Sequence, residues 1–375
     1  MQNDIDSIIE MHDTWLVIDA IQGCTNGCKY CLLQSTDDNL SKPRIKATAA
    51  QAISYLFASK YYDSHIPISL LPGTDAFLNS TNINYTKELL ELLEQRKVSN
   101  PIILVTKCLI PDYFIDYLEQ LNKKGMTIIV YLSMSGLSTK YEPNINHANV
   151  RLNFYNLASR GIRVIHYYRP FIPDNSSAKE INKVLDFVNK YTNISVISGL
   201  KLKSDFIDKI SFCKITTTKR EECLAASSIW PEQAYNYFYK NYQHPQNVFQ
   251  TNYCALAQAL EKPCPQFYGT LECHSYNHCS EHQRKRCSEF KRNQSRNIME
   301  ELTNLLQKID KYDENLEVIK EDNNIILKNI DLSVSDVAYL TFKMGYKVTV
   351  YKKSASDKRF SSSLSNSTPL IYKGE

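Results

Sequence analysis

From Trp15 to about Gly199, short apolar runs alternate with longer stretches of helical spacing. The apolar runs are WLVID (15–19), PISLL (67–71), PIILVT (101–106), TIIVYLSMS (127–135), IRVIHYY (162–168) and ISVIS (194–198). Each is rich in Ile, Val and Tyr and bounded by Gly, Pro or Asn, the profile of a parallel strand buried on both faces. Helix candidates lie between them, near 47–61, 83–97, 111–123, 147–160 and 177–191. In YTKELLELLEQRK (85–97), for instance, Leu89, Leu90 and Leu93 recur on one face. Six strands with five intervening helices predict a parallel α/β domain: a barrel, a partial barrel or a doubly wound sheet. In all three, function gathers at the carboxyl ends of the strands.

After about residue 200 the alternation fades. Residues 229–261 read as helical and aromatic, cysteines and histidines concentrate between Cys254 and Cys287, and a long helix is expected over 288–311. Residues 315–352 read as strand, strand, helix, strand, with a turn at 323–324 and the helix closing at Gly345. The Ser-rich tail is expected to be mobile. The division expected is a barrel over 1–215, a helical, Cys-rich extension over 216–312, and a small α+β unit with its tail over 313–375.

Composition narrows the class. With 375 residues, 43% hydrophobic, 22% charged and a net charge of +4, the chain resembles an ordinary globular protein. That charge neither demands a polyanionic partner nor excludes a local basic face. The acidic opening MQNDIDSIIEMHD predicts no signal peptide, and no apolar run is long enough for a membrane span. A cytoplasmic location is therefore expected, where clustered cysteines mean metal more often than disulfide. Of the eleven cysteines, Cys108, Cys213 and Cys223 are scattered and read as plain thiols, while the other eight fall into two groups.

The first group is GCTNGCKYCLLQ (23–34), which places Cys24, Cys28 and Cys31 within eight positions after the first strand. That spacing could in principle share a helix face, but Gly23, Thr25, Asn26 and Gly27 favour turns. On a loop, three thiols can curl around one metal centre. Structural zinc takes four protein ligands, and no fourth Cys or His lies nearby. A [4Fe–4S] cluster held by three cysteines keeps one iron open.

This C-x3-C-x2-C run, with Tyr30 before its last cysteine, resembles the signature of the radical S-adenosylmethionine (SAM) enzymes. The resemblance implies a partial (β/α)6 barrel with a [4Fe–4S] cluster near its mouth, whose open iron chelates SAM. It also implies an electron from a flavodoxin- or ferredoxin-type donor, which cleaves SAM to a 5′-deoxyadenosyl radical that abstracts hydrogen from substrate. Carried onto this sequence, Gly73, Thr74 and Asp75 of LPGTDAF stand where the family usually has Gly-Gly-Glu, against the SAM amino group. Ser133 and Ser135, alternating along YLSMSG, suit ribose hydroxyls or the carboxylate. Arg169 of HYYRPFIP suits the carboxylate too. Ile197 of VISGL belongs to the segment that packs against adenine, with Tyr30 adding backbone contacts. An EP, an R-L pair, a Gly-Ile and a Pro-x-Ile-Pro within 138–175, with the TDAF turn, resemble the spore photoproduct lyase-like branch over roughly 15–200.

The second group spaces Cys264, Cys273, Cys279 and Cys287 with gaps of eight, five and seven residues, with Cys254 as an alternative ligand and His274, His278 and His282 interleaved. An auxiliary iron–sulfur cluster, a structural zinc and unligated thiols all remain open here. A metal would explain how so polar a segment folds. The run HQRKRCSEFKRNQSR adds Arg284, Lys285, Arg286, Lys291, Arg292 and Arg296, either a solvated helix or a face for phosphates. The leading expectation is a radical SAM enzyme acting on nucleic acid or a nucleotide, in repair or modification. A peptide-modifying maturase with an auxiliary cluster and a non-catalytic Fe–S/SAM-binding sensor are the alternatives.

Overall fold

The computed structural model describes residues 5, 7–35, 42–264, 279–289, 297–321, 324–351, 359–361 and 369–373. At its centre an eight-stranded sheet contains β1 (Ile9–Met11), β2 (Leu16–Ile18), β3 (Ile68–Leu70), β4 (Ile102–Thr106), β5 (Ile128–Ser133), β6 (Arg163–Phe171) and β7 (Ile194–Gly199). Its last strand is β9 (Asn247–Phe249), which follows β8 (Ile229–Pro231), a strand that pairs elsewhere. The strands lie side by side in chain order; all are parallel except β1, which runs antiparallel to β2.

Five helices make the crossovers: α1 (Ala49–Ala58), α2 (Ser80–Gln95), α3 (Asp112–Lys123), α4 (His147–Ser159) and α5 (Ala178–Val188). Local chemistry starts them where the periodicity predicts, with side-chain caps at Thr48, Asn79, Asn146 and Ser177. Unbroken strand order, with crossovers of one hand, puts every helix on the same face. A doubly wound sheet needs a reversal of order, and this sheet has none. The architecture is therefore that of an opened α/β barrel.

Alternation along the strands separates two faces. Ile18, Leu70, Leu104, Val130 and Ile197 join Leu89, Phe114 and Phe154 of the helices in one core. Val17, Ile103, Ile129, Tyr131, Ile165, Tyr167 and Val196 point inward, where Tyr253 and Leu256 of a further helix cover them. The strands β1 and β9, three residues each, escape a sequence reading because IEM and NVF lie in no sustained apolar run, whereas the equally short β2 and β3 sit inside WLVID and PISLL.

Beyond the sheet lie α6 (Glu232–Lys240), α7 (Asn252–Ala259), α8 (Glu281–Glu289) and α9 (Ile298–Lys308). The single helix expected over 288–311 is thus replaced by the end of α8 and by α9, with 290–296 outside the described residues. Then follow β10 (Glu317–Lys320), β11 (Asn324–Lys328), α10 (Val334–Met344), β12 (Lys347–Tyr351) and β13 (Arg359–Ser361), whose strands form a separate four-stranded sheet. α10 ends at Gly345 in the left-handed region (φ 64°), as a C-terminal glycine cap requires. Fully buried Asp336 accepts from Tyr61 Oη at 2.8 Å, and Lys343 pairs with Asp63 at 2.5 Å, tying α10 to the chain before β3. Much of the Ser-rich tail, 352–358 and 362–368, lies outside the described residues. No described helix is long and apolar enough to cross a membrane.

Candidate active site

After β2 the chain makes a short ladder, 21–22 against 44–45, and the loop that follows Gln22 carries Cys24, Cys28 and Cys31. The loop is a succession of turns rather than a helix face. Gly27 permits it, because its φ is +65° and an added Cβ would meet Pro143 Cγ at 3.3 Å.

Three other strand ends grip this loop. Beyond β3, Gly73 O accepts from Gly23 N–H at 2.9 Å, and Thr74 Oγ1 donates to Gly23 O at 2.5 Å. Beyond β4, the Asn26 amide meets Cys108 Sγ at 3.5 Å. Beyond β5, Tyr141 O accepts from Lys29 N–H at 2.9 Å, Asn144 Nδ2 donates to Thr25 O at 2.7 Å, and the Tyr30 hydroxyl donates to Glu142. Glu142 is 1% exposed and also accepts from Lys107 Nζ (2.7 Å) and Ser135 Oγ (2.8 Å). These protein contacts hold the loop against the strand ends.

The three cysteines line one cavity of about 490 Å³ at the carboxyl ends of the strands. Thr74, Asp75, Thr106, Lys107, Ser133, Tyr167, Arg169, Ser198 and Lys201 share its wall. Burial pushes the Cys24 and Cys28 thiols up to about 12. The charge of Asp75 and the neighbouring cysteines raise Cys24 further, whereas Lys107 pulls Cys28 down. Burial raises Cys31 too, against the charges of Lys107 and Arg169. Burial thus disfavours the thiolate at all three cysteines, a preference that a bound metal would reverse. Among the described residues, no three Cys, His, Asp or Glu side chains converge as a site for a single ion.

The geometry reassigns several residues that the sequence offered for SAM. Gly73 has both backbone groups engaged: its N–H donates to Asp19 Oδ1 at 2.8 Å, and its carbonyl holds the cysteine loop. Asp75 lines the cavity, but its carboxylate is taken by Phe77 N–H (3.0 Å), Thr106 Oγ1 (2.6 Å) and Lys107 N–H (2.7 Å). Ser135 does not reach the cavity, because β5 ends at Ser133 and the alternation ends with it. Ile197 faces the helix layer, and Ser198 takes its place on the wall. Ser133, Thr74 and Arg169 do line the cavity; the Arg169 guanidinium lies 3.9 Å from the Tyr167 ring centroid. His12, Lys107 and Lys201 are wall residues that sequence reasoning missed, since no motif marks them.

In the second cysteine group, Cys254, Cys264 and Cys287 are buried together on the inner face of the sheet and Cys279 packs against them; Cys273, His274 and His278 lie outside the described residues. Of the basic run, Arg286 turns back to Gln283 Oε1 at 2.6 Å, and Lys291, Arg292 and Arg296 lie outside the described residues.

No known protein-family profile matches the chain, and no curated protein matches it. Among solved structures, a spore photoproduct lyase complexed with dinucleoside spore photoproduct is similar at 14% identity and a TM-score of 0.41, over 55% of this chain and 61% of that one. Streptococcus suis SuiB bound to S-adenosylmethionine is similar at 17% identity and a TM-score of 0.39, over 51% and 41%. A radical SAM methyltransferase from Sphaerobacter thermophilus is similar at 14% and 0.39, over 58% and 66%. The chain thus spans about three fifths of the lyase and two fifths of SuiB.

Proposed function

We propose that this chain is a radical SAM enzyme that holds a [4Fe–4S] cluster on Cys24, Cys28 and Cys31, with SAM beside it in the same cavity. One observation carries this reading: three thiols from one eight-residue loop line a single cavity at the carboxyl ends of parallel strands. A [4Fe–4S] cube takes one thiolate per iron, so three cysteines hold it and leave one iron open for SAM. Such a cluster, when bound, supplies the electron that cleaves the SAM sulfonium and so makes hydrogen abstraction available.

The chain's own residues bind and orient. Arg169 makes no ion pair among the described residues and offers its fork to the methionine carboxylate. The Ser133 hydroxyl, on the wall at the end of β5, suits a ribose hydroxyl. Lys201 lines the same wall, also without an ion pair among the described residues. With Arg169 given to SAM, Lys201 is left for an anionic substrate, which favours a nucleotide or nucleic-acid phosphate. The reading includes an external one-electron donor of flavodoxin or ferredoxin type.

Anaerobic reconstitution tests the proposal. The loaded protein should hold about four irons bound through the first cysteine group. With dithionite and SAM it should release 5′-deoxyadenosine and methionine, and Cys28→Ala should release neither. A fully loaded protein that leaves SAM intact overturns the reading. Salt-sensitive retention of an oligonucleotide, weakened by Lys201→Ala, would support the substrate class; indifference to salt and to that variant would remove it.

A further inference from the structure

Three segments deliver cysteines to one buried cluster beneath the inner face of the sheet. Cys254 sits on α7, Cys264 just beyond it and Cys287 on α8, and they are 6%, 4% and 5% exposed. Cys279, immediately before α8, packs against the same cluster. Cys254 Sγ and Cys264 Sγ stand 3.8 Å apart. Bonded sulfurs lie about 2.05 Å apart, so this is no disulfide. A tetrahedron with zinc–thiolate bonds of about 2.3 Å has edges of about 3.8 Å, the separation the two sulfurs already hold. In a four-iron cube each cysteine sits on its own iron, and no two cysteine sulfurs share such an edge.

Donors are aimed at the third sulfur. Cys264 N–H and Gln283 Nε2 each reach Cys287 Sγ at 3.3 Å. Gln283 is 2% exposed, and Arg286 donates to its Oε1 at 2.6 Å, which turns the amide nitrogen toward the sulfur and toward Lys262 O (2.7 Å). A thiol is a weak acceptor and a thiolate a strong one, so these bonds favour the charged form that a metal needs. α8 itself, EHQRKRCSE, contains no apolar residue except Cys287. Hydrophobic burial cannot dock such a helix, whereas a metal bond can.

We propose that Cys254, Cys264, Cys279 and Cys287 bind one zinc ion as a closed tetrathiolate site that fastens α8 to α7. Cys254 and Cys264 define one edge as they stand. Cys279 and Cys287 close on that edge as the ion enters, since no three ligating side chains yet converge among the described residues. Each thiol gives its proton to solvent as the ion enters. The site also supports the reaction cavity: Asn252, which opens α7, accepts from Tyr167 Oη at 2.8 Å, and Tyr167 is a cavity wall. The inference stands on its own, whatever Cys24, Cys28 and Cys31 bind.

Metal analysis of the full chain tests it. The Cys24→Ala/Cys28→Ala/Cys31→Ala variant, loaded under reducing conditions with zinc, should retain about one zinc per chain without sulfide. Cobalt in its place should show thiolate-to-metal charge transfer. Cys254→Ser should lose the zinc, Cys254→His should keep it, and Cys273→Ser should keep it, with circular dichroism separating loss of metal from loss of fold. Iron with acid-labile sulfide at this site, failure of the folded chain to retain zinc, or zinc that depends on Cys273 and not on Cys254 would each overturn the assignment.

Discussion

Lys107 Nζ lies 2.7 Å from Glu142 Oε1, and this pair joins the end of β4 to the segment that clamps the cysteine loop. The two side chains are 14% and 1% exposed, so water screens the pair little. Burial alone would raise the Glu142 pKa; the Lys107 charge and the hydrogen bonds from Lys107, Tyr30 and Ser135 outweigh it and hold the carboxyl below its usual range. Removing one member of a buried pair strands the other, at a cost of about 3 kcal/mol. Glu142→Gln should therefore lower stability by about that amount in urea unfolding, and Lys107→Met in the same chain should recover most of it. Iron retention by the loop should fall with Glu142→Gln alone. A single variant within about 0.5 kcal/mol of the parent would mean that the pair does not hold the loop.

Ser133 and Ser135 look equivalent in the sequence and should separate in experiment. Ser135 Oγ is committed to Glu142 at 2.8 Å and is not part of the cavity wall that Ser133 lines. Ser135→Ala should cost about 1 kcal/mol of stability and leave SAM affinity unchanged. Ser133→Ala should leave the unfolding midpoint in place and weaken SAM binding several-fold by calorimetry. The opposite pattern would return Ser135 to the cofactor.

That pair also shows what the sequence could and could not tell. The central strands and their helices were legible because Ile- and Val-rich runs between turn residues leave few other options, and the cysteine loop was legible from its glycines. Phase was not. Alternation brings Ser133 to the cavity wall and fails two residues later, because the strand has ended; at β7 it is Ser198, and not Ile197, that faces the cavity. The Lys107–Glu142 pair spans 35 residues and Tyr30–Glu142 spans 112, and no local pattern encodes either. Cys254 seemed peripheral to the second group for the same reason: the turn of α7, not the spacing, carries it to Cys264.

Gly73 should be intolerant of a side chain for a reason apart from SAM. An added Cβ would stand 2.3 Å from Asp19 Oδ1, and Asp19 cannot easily retreat because Lys46 holds its other oxygen at 3.1 Å. Gly73→Ala should cost about 1–3 kcal/mol, the range of overpacking. In an Asp19→Ala background the same change should cost far less, a coupling that a double-mutant cycle reads directly. Equal costs in both backgrounds would place the constraint elsewhere.

Acid should weaken the fold through His166. Its ring is fully buried: Nε2–H donates to Met134 O at 2.9 Å, and Nδ1 accepts from Ser195 Oγ at 2.9 Å, which in turn accepts from Gln246 Nε2 at 2.9 Å. Every polar atom of the ring is satisfied in the neutral form, and a second ring proton would point at the donor Ser195. Burial, with a smaller push from the Lys107 charge, lowers the pKa to about 4 despite the hydrogen bond to Met134. The unfolded chain, with a histidine near 6.5, therefore binds the proton first. The stability from keeping the ring neutral is complete above about pH 6.5 and drains away as pH falls toward 4. Between pH 7 and 5 this amounts to roughly 2 kcal/mol. His166→Gln can form the same kind of hydrogen bonds without titrating. Its urea midpoint should therefore fall less than the parent's over that interval, by about that free energy once multiplied by the m-value. Parallel pH profiles for the two proteins would show that His166 is not the group responsible.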